Sequence, residues 1–399
     1  MNPALFHELL TPGGQELLRA AEGLASREEA YLSALGALRR AVPGASRALA
    51  GVALDTALLR ARARRKFSRA PAMYFTREAL EQATTEAVGQ HHARRFASMP
   101  RVADLGCGIG GDALHLAAVS QVTAVDRDPL RLVMARENLA AYGVHARWVQ
   151  ADLGAQGFLR ALGLERAAIF CDPSRREAGR RRFSTFGYSP PLPAVLEWHR
   201  AWPERPMGVK LSPGVDLREL PQSGAEVEFV SLDGELKEAM LWLGALRSVP
   251  RRATLLPQGE SLTATTPDAA PLSDPLGFLY EPDPAVMRAG LVAELAHRIG
   301  AAQIDPDIAY LTSGRWVPTP FARVFALEAA LPFGLKRLRE WLRAHGVGRV
   351  VIKKRGSPLE PLELEHALRL RGEASRTLFL THVRGEPYVL VGEPADLQA

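Results

Sequence analysis

The sequence predicts an α/β fold. It reads as a doubly wound, largely parallel sheet that closes in an antiparallel hairpin, flanked by a helical N-terminal domain and an α+β C-terminal domain. Three patterns carry this reading. Residues 101–128 run strand, glycine turn, helix, strand, with Gly106, Gly108, Gly110 and Gly111 in the turn and Asp126 ending the second strand; this is half of a nucleotide-holding sheet. Apolar runs at 146–149, 168–171 and 207–211 then alternate with helical segments at 130–142, 157–162 and 192–202, a rhythm that implies right-handed parallel crossovers. Last, runs at 226–231 and 239–246 flank Asp233-Gly234, and strands joined so closely are antiparallel.

Taken in order, residues 1–70 read as helical. Phe6, Leu9, Leu10, Leu17, Leu18, Leu24, Leu32, Leu35 and Leu38 recur at helical spacing, punctuated by Pro12-Gly13-Gly14 and Pro43-Gly44. A third helix, at 46–66, ends in the cationic run 60–66. That run suits phosphate contact and equally suits the negative end of a helix macrodipole. Thr76 caps a single predicted helix at 77–96, which precedes the first strand at 102–105; the second lies at 122–125. Tyr74 and Phe75, just before that helix, are placed either to pack it on the sheet or to meet a ligand. A nucleotide-binding domain is expected over 71–275, with a strand pair at 253–256 and 261–265 near its end. A separate unit is expected over 276–399: helix 284–299, strand 310–317, helix 335–345, a strand at 347–356 ending in Lys353, Lys354 and Arg355, helix 362–370, and a closing hairpin at 377–383 and 387–391.

With 399 residues the chain is long enough for two or three domains. It is 47% hydrophobic and 24% charged, with no apolar run of transmembrane length and no charged-then-apolar leader. Secretion and membrane insertion are therefore not expected. The 2 cysteines, Cys107 and Cys171, argue for a reducing cytoplasm without a disulfide framework. No Cys/His cluster has metal-ligand spacing, so no metal is expected. The formal charge of +6 favours a polyanionic partner such as RNA, although an Arg-rich, Ala-rich chain also reflects base composition of the genome.

The glycine turn lets backbone approach a ligand closely. Its spacing fits NAD through Gly106, Gly108 and Gly111, and S-adenosylmethionine through Asp104, Gly106, Gly108 and Gly110. Later strand ends favour the second. Asp126, with Arg127 beside it, is placed for ribose, Asp152 for the adenine amino group, and Phe75 and Thr76 for the methionine end. Asp172-Pro173, with Ser174 and Arg175, follows the fourth strand, where a methyl donor's acceptor lies. A carboxylate there takes the acceptor's N–H hydrogens and aims the lone pair. Arg175, Arg176, Arg180, Arg181 and Arg182, then Phe183, Phe186 and Tyr188, combine cations with aromatics as phosphate contact and base stacking require; a solvated loop with aromatics packed beneath it is the plainer reading. Lys210 and Glu238 reach the same rim, as substrate contacts or as an ion pair. His91, His92, His115 and His199 show no spacing of a triad or metal site.

At these residues the chain resembles bacterial class I S-adenosylmethionine methyltransferases with a C-terminal THUMP-like domain. The resemblance covers Thr11-Pro12-Gly13-Gly14-Gln15-Glu16, Phe75-Thr76-Arg77-Glu78 through Ala93-Arg94-Arg95-Phe96, Asp104-Leu105-Gly106-Cys107-Gly108-Ile109-Gly110-Gly111-Asp112, Asp172-Pro173-Ser174-Arg175-Arg176 and Val209-Lys210-Leu211-Ser212-Pro213-Gly214. Thr319-Pro320-Phe321-Ala322-Arg323 and Ile352-Lys353-Lys354-Arg355-Gly356 are similar to the THUMP-like segment, about 320–394. More loosely, the catalytic half is similar to trimethylguanosine synthases and THUMP-containing RNA guanine-N2 methyltransferases. The resemblance implies RNA as substrate and a base nitrogen as acceptor. It differs where those relatives carry a second Pro and a stacking aromatic: Ser174 and Arg175 stand there, which would pass stacking to Arg175, Phe183 or Tyr188. A small-molecule or protein methyltransferase, an NAD oxidoreductase and an inactive RNA-binding module are the alternatives.

Overall fold

The computed structural model describes residues 2–24, 31–155, 157–174, 176–177, 180–181, 184–221, 223–265 and 269–395. The chain forms two compact units, 1–226 with 238–248, and 227–237 with 249–399.

The first unit opens with four helices, α1 (Pro3–Leu10), α2 (Pro12–Leu24), α3 (Tyr31–Ala41) and α4 (Arg47–Ala63). Side-chain oxygens start two of them: Asn2 accepts from the Leu5 N–H at 2.9 Å and Ser46 from the Leu49 N–H at 3.1 Å. Most of the predicted apolar positions are at least partly buried, with Phe6, Leu9 and Leu38 fully enclosed, whereas Leu32 is 77% exposed and lies off the inward face of α3. The cationic run at the end of α4 is partly structural. Arg60 is buried, paired with Glu22 at 2.8 Å and donating to the Met73 carbonyl at 2.8 Å. Lys66 donates to the carbonyls of Leu80, Glu81 and Ala83 at 2.8, 3.0 and 2.9 Å. Those are the orphan acceptors at the end of the next helix.

That helix is shorter than its periodicity suggests. The expected helix at 77–96 is two, α5 (Arg77–Gln82) and α6 (Glu86–Arg95). The chain leaves α5 at Ala83, whose backbone is extended, and resumes behind Thr85. The interruption carries Thr84 into the interior, at 6% exposure.

The sheet follows as β1 (Arg101–Leu105), α7 (Ala113–Leu116), β2 (Gln121–Asp126), α8 (Pro129–Ala141), β3 (Arg147–Gln150), α9 (Phe158–Ala161), β4 (Ala168–Cys171), α10 (Leu192–Arg200), β5 (Met207–Leu211), β6 (Ala225–Leu232) and β7 (Glu235–Leu243). Within the first unit the spatial order is β3-β2-β1-β4-β5-β7. β1 runs parallel to β2 and β4, β2 to β3, and β4 to β5. β7 alone is antiparallel to β5, with Lys210 opposite Met240. All the parallel strands therefore end on one edge, which gathers Leu105, Asp126, Cys171 and Leu211 at the same rim. Phe96, Phe170 and Trp242 pack beneath it, Phe96 lying 6.1 Å from Phe170 and 6.0 Å from Trp242.

In the second unit, β8 (Arg251–Leu256) lies parallel to 227–232 and antiparallel to β9 (Glu260–Thr263). A seven-stranded sheet comprises β10 (Phe278–Pro282), β11 (Ala302–Asp305), β12 (Ile308–Ser313), β13 (Ala322–Pro332), β14 (Val347–Lys354), β15 (Ala374–Val383) and β16 (Glu386–Pro394). Its order is β11-β12-β10-β13-β16-β15-β14. The expected helix at 284–299 is again two, α11 (Pro284–Ala289) and α12 (Val292–Ile299), because Gly290 turns left-handed at φ +70°. α13 (Leu335–Ala344) and α14 (Pro361–Leu368) complete the unit. Among the described residues no helix is long and apolar enough to cross a membrane.

Glu226, fully buried at the base of β6, is held by Arg95 at 2.5 Å and accepts from the Ser248 backbone N–H at 2.9 Å. Arg95→Ala strands that carboxylate in low dielectric. Urea unfolding should show a loss of about 3–5 kcal/mol, and the paired change Arg95→Met with Glu226→Gln should restore much of it.

Candidate active site

The glycine turn forms as its sequence requires. The N–H groups of Gly106 and Cys107 both donate to the Val125 carbonyl, at 2.9 and 3.0 Å, tying the turn to β2. Gly106 has φ +87°, and a Cβ there would stand 2.7 Å from the Asp172 carbonyl oxygen. Gly108 has φ +56°, and a Cβ on it would meet nothing within 4 Å, so open space lies over the turn. Asp126, 6% exposed, accepts from Gly108 N–H and Asp128 N–H, each at 2.9 Å. It thus fixes the turn as well as standing at its rim. Arg127 and Asp152 are exposed beside it, and Asp152 accepts from Gly154 N–H at 2.9 Å.

Asn138 of α8 fastens a second segment to this turn. Its amide donates to the carbonyls of Tyr74 (3.0 Å) and Ile109 (2.9 Å) and accepts from the Tyr74 N–H (2.7 Å). Thr76 follows as the cap of α5, accepting from Ala79 N–H at 3.1 Å. The Phe75 ring itself is fully buried, stacked 5.8 Å from Phe67, so its side chain belongs to the helical core.

Asp104 sits within β1 at 1% exposure, and neither carboxylate oxygen has a hydrogen-bond partner. Burial pushes its pKa well above the ordinary carboxylate range, and the nearby Asp112 and Asp172 add to the rise. Close behind, buried charges converge on Lys210, which is 3% exposed. Its ammonium donates to Thr84 Oγ1 at 2.6 Å and Asp172 Oδ2 at 2.8 Å, with Asp112 Oδ2 at 3.6 Å and Glu238 Oε2 at 4.0 Å. Asp112 in turn accepts from Thr84 at 2.6 Å and contacts His92 Nδ1 at 2.8 Å. His92 Nε2 lies 2.5 Å from Glu238 Oε1 in an ionic contact outside hydrogen-bond alignment. Burial alone would lower the pKa of both bases. The surrounding carboxylates outweigh it, raising His92 to about 10 and holding Lys210 above the ordinary lysine range. Burial would likewise raise Asp112, and Lys210 with His92 reverses that. Of this set only Asp172 reaches solvent appreciably, its side chain 26% exposed.

The sequence marks Asp172, Lys210 and Glu238 but leaves Thr84, His92, Asp112 and Asn138 unmarked. Thr84 stands in what reads as helix interior, and His92 beside His91 has no ligand spacing. The available signal is a polar residue on the inward face of α6.

Lys210 is thus buried behind Asp172, a correction to its placing as a substrate contact: no exposed ammonium remains to meet a phosphate. Pro173 is buried and Ser174 exposed, its backbone paired with Ser189 at 3.0 and 2.9 Å. Arg175 and Phe183 lie outside the described residues. Arg176 and Arg181 are opposed in a short antiparallel ribbon. Tyr188 is 3% exposed and accepts from the Ser212 N–H at 3.0 Å, so it braces the loop from beneath and offers no free face. Phe186 is 65% exposed instead, on a turn fixed by Glu219, which accepts from Thr185 N–H (2.7 Å), Thr185 Oγ1 (2.6 Å) and Ser184 Oγ (3.2 Å). In the second unit Lys353 pairs with Glu281, Lys354 with Glu360 at 2.5 Å, and Arg355 lies 4.7 Å over the Tyr310 ring.

Comparison with known proteins agrees with this geometry. Residues 102–164 match a methyltransferase domain, 322–394 a THUMP domain-like family, and 2–63 a domain of unknown function. An uncharacterized S-adenosylmethionine-dependent methyltransferase of Mycobacterium tuberculosis, strain H37Rv, is 38% identical over 83% of this chain and 92% of its own; its counterpart in strain CDC 1551 matches equally. The chain belongs to the S-adenosylmethionine-dependent methyltransferases. A crystal structure of a proposed methyltransferase from Porphyromonas gingivalis W83 shares the fold, with TM-score 0.76 and 22% identity over 96% of this chain and 99% of that one. The strand order, with its antiparallel β7, also separates this methyltransferase sheet from that of an NAD oxidoreductase.

The residues fit the cofactor. Gly108 leaves open space over the turn, with room for a ligand to approach the backbone, and the partnerless Asp104 carboxyl suits a cationic amino group. Asp104 also carries a stability consequence. A raised folded pKa means its contribution is complete below the ordinary value near 3.8 and is lost as pH climbs through the raised one. Asp104→Asn should therefore melt higher than the parent at pH 7.5 and equally at pH 4, while calorimetry finds S-adenosylhomocysteine bound at least about tenfold more weakly. A lower melting temperature at pH 7.5 would contradict this.

Proposed function

We propose that this methyltransferase modifies a base nitrogen of RNA in the cytoplasm, with Asp172-Pro173 orienting the acceptor. The observation that carries the reading is Asp172 itself, at the tip of β4, with Oδ2 fixed by Lys210 and the carboxylate partly open to solvent. When bound, the cofactor supplies an electrophilic methyl carbon on a sulfonium sulfur. Asp172 accepts an N–H of the acceptor, holding its lone pair in line as the N–C bond forms, the S–C bond breaks and the displaced N–H proton passes to solvent. Gly106, Gly108 and Gly110 shape the cofactor cradle, Asp104 receives its amino group, Asp126 and Arg127 stand at the ribose, Asp152 at the adenine, and Thr76 at the methionine end.

RNA as the substrate class is supported by the THUMP domain-like match and by the exposed Phe186 ring, which offers a stacking face where Tyr188 does not. Arg176 and Arg181 on the loop, and Lys354 as the most exposed of its trio, are assigned to phosphates.

Mass spectrometry of total RNA nucleosides from a deletion strain should lack one methylated base. The wild-type gene should restore it. Asp172→Asn should not, while binding S-adenosylhomocysteine within about threefold of wild type. An unchanged nucleoside profile would turn the assignment toward a small-molecule or protein acceptor. Phe186→Ala should raise the RNA KM about five- to a hundredfold, and Phe186→Tyr should preserve it.

A further inference from the structure

The buried charges behind Asp172 are arranged for a purpose that burial alone does not explain. Four protein groups surround the Lys210 ammonium, and three of them, Thr84, Asp112 and Glu238, lie at 4–6% exposure or little more. They come from three separate elements: the break between α5 and α6, the glycine turn, and β7. His92, fully enclosed, bridges Asp112 and Glu238 from the far side. The ammonium therefore has no freedom to follow Asp172, and its direct hydrogen bonds go to Thr84 and to Asp172 Oδ2. Of these groups Asp172 is the member open to solvent, its side chain 26% exposed. Replacing such a cluster with apolar side chains would often stabilise a fold, so an ion network here is costly unless its position is used.

We infer that Lys210 is a positioning residue for methyl transfer: clamped by Thr84, Asp112 and Glu238, it fixes Oδ2 of Asp172 so that Oδ1 is presented to the acceptor nitrogen. His92 acts one step further back, holding Asp112 and Glu238 together around the ammonium. Lys210 touches neither cofactor nor substrate and acts only through Asp172. This inference rests on Asp172 being the acceptor-orienting group.

A double-mutant cycle tests it, using the full-length enzyme, S-adenosylmethionine and RNA extracted from a deletion strain. Lys210→Met should lower kcat about a hundredfold, as a displacement near 1 Å would, with KM and the S-adenosylhomocysteine dissociation constant within about threefold. In an Asp172→Asn background the same change should cost less than about twofold, since the group it positions is already lost. A general structural role predicts instead that the two losses multiply. Wild-type kcat in Lys210→Met, full additivity, or a parallel loss of cofactor binding would overturn the inference. Because the single change leaves a buried excess of negative charge, the charge-balanced pair Lys210→Met with Asp112→Asn serves as the folded alternative. Its crystal structure should show the Asp172 carboxylate turned from its present position, and an unmoved carboxylate overturns the inference. Should the wild-type enzyme transfer no methyl group to RNA, the RNA reading fails, and that crystal structure still decides the role of Lys210.

Discussion

An ammonium buried at 3% exposure governs how this site is built. Removing a charge from water is expensive, and the cost is met only when opposite charges and hydrogen-bond acceptors surround it closely. Lys210 meets that requirement with groups from distant parts of the chain, so β5, β7, the glycine turn and the α5–α6 break must all be in place together. The sheet topology makes this possible. Parallel strands deliver Leu105, Cys171 and Leu211 to one edge, and antiparallel β7 brings Glu238 back beside Lys210.

Around the glycine turn a different logic holds. There the turn is held by its own backbone and by two side chains, Asp126 and Asn138. Rigid glycine backbone then lies under open space. Asp104 is the exception: a buried carboxyl with no partner, kept despite its desolvation. Near it, the Lys210 ammonium is surrounded by Asp112, Asp172 and Glu238. The two environments push neighbouring carboxyls in opposite directions, Asp104 up and Asp112 down.

Cation-rich segments divide along similar lines. Arg60 and Lys66 are absorbed among the helices that open the first unit, where they meet Glu22 and the end of α5. Lys353 and Arg355 lie against Phe325 and Tyr310 in the second unit, at 5.1 and 4.7 Å. A run of basic residues in the sequence therefore overstates the charge left for a partner, because side chains that look alike in one dimension are used differently in three.

The sequence alone determined the sheet, its glycine turn and the placing of Asp104 in the first strand and of Asp126 and Asp172 at strand ends. These follow from local rules: strand and helix periods, the glycine spacing, and a turn at Asp233-Gly234 too tight for a crossover. It also yielded the helical start and the closing hairpin of the second unit. The tertiary structure decided which polar residues meet. Periodicity joins α5 and α6 into one helix, whereas packing breaks them and lowers Thr84 onto Lys210 and Asp112. It turned Tyr188 inward, left Phe186 outward, and made His92 a bridge between carboxylates 20 positions ahead of it and far beyond, in β7. Such contacts depend on elements remote in the chain, and the free energy of a buried charge is set by its neighbours in space, which no local pattern records.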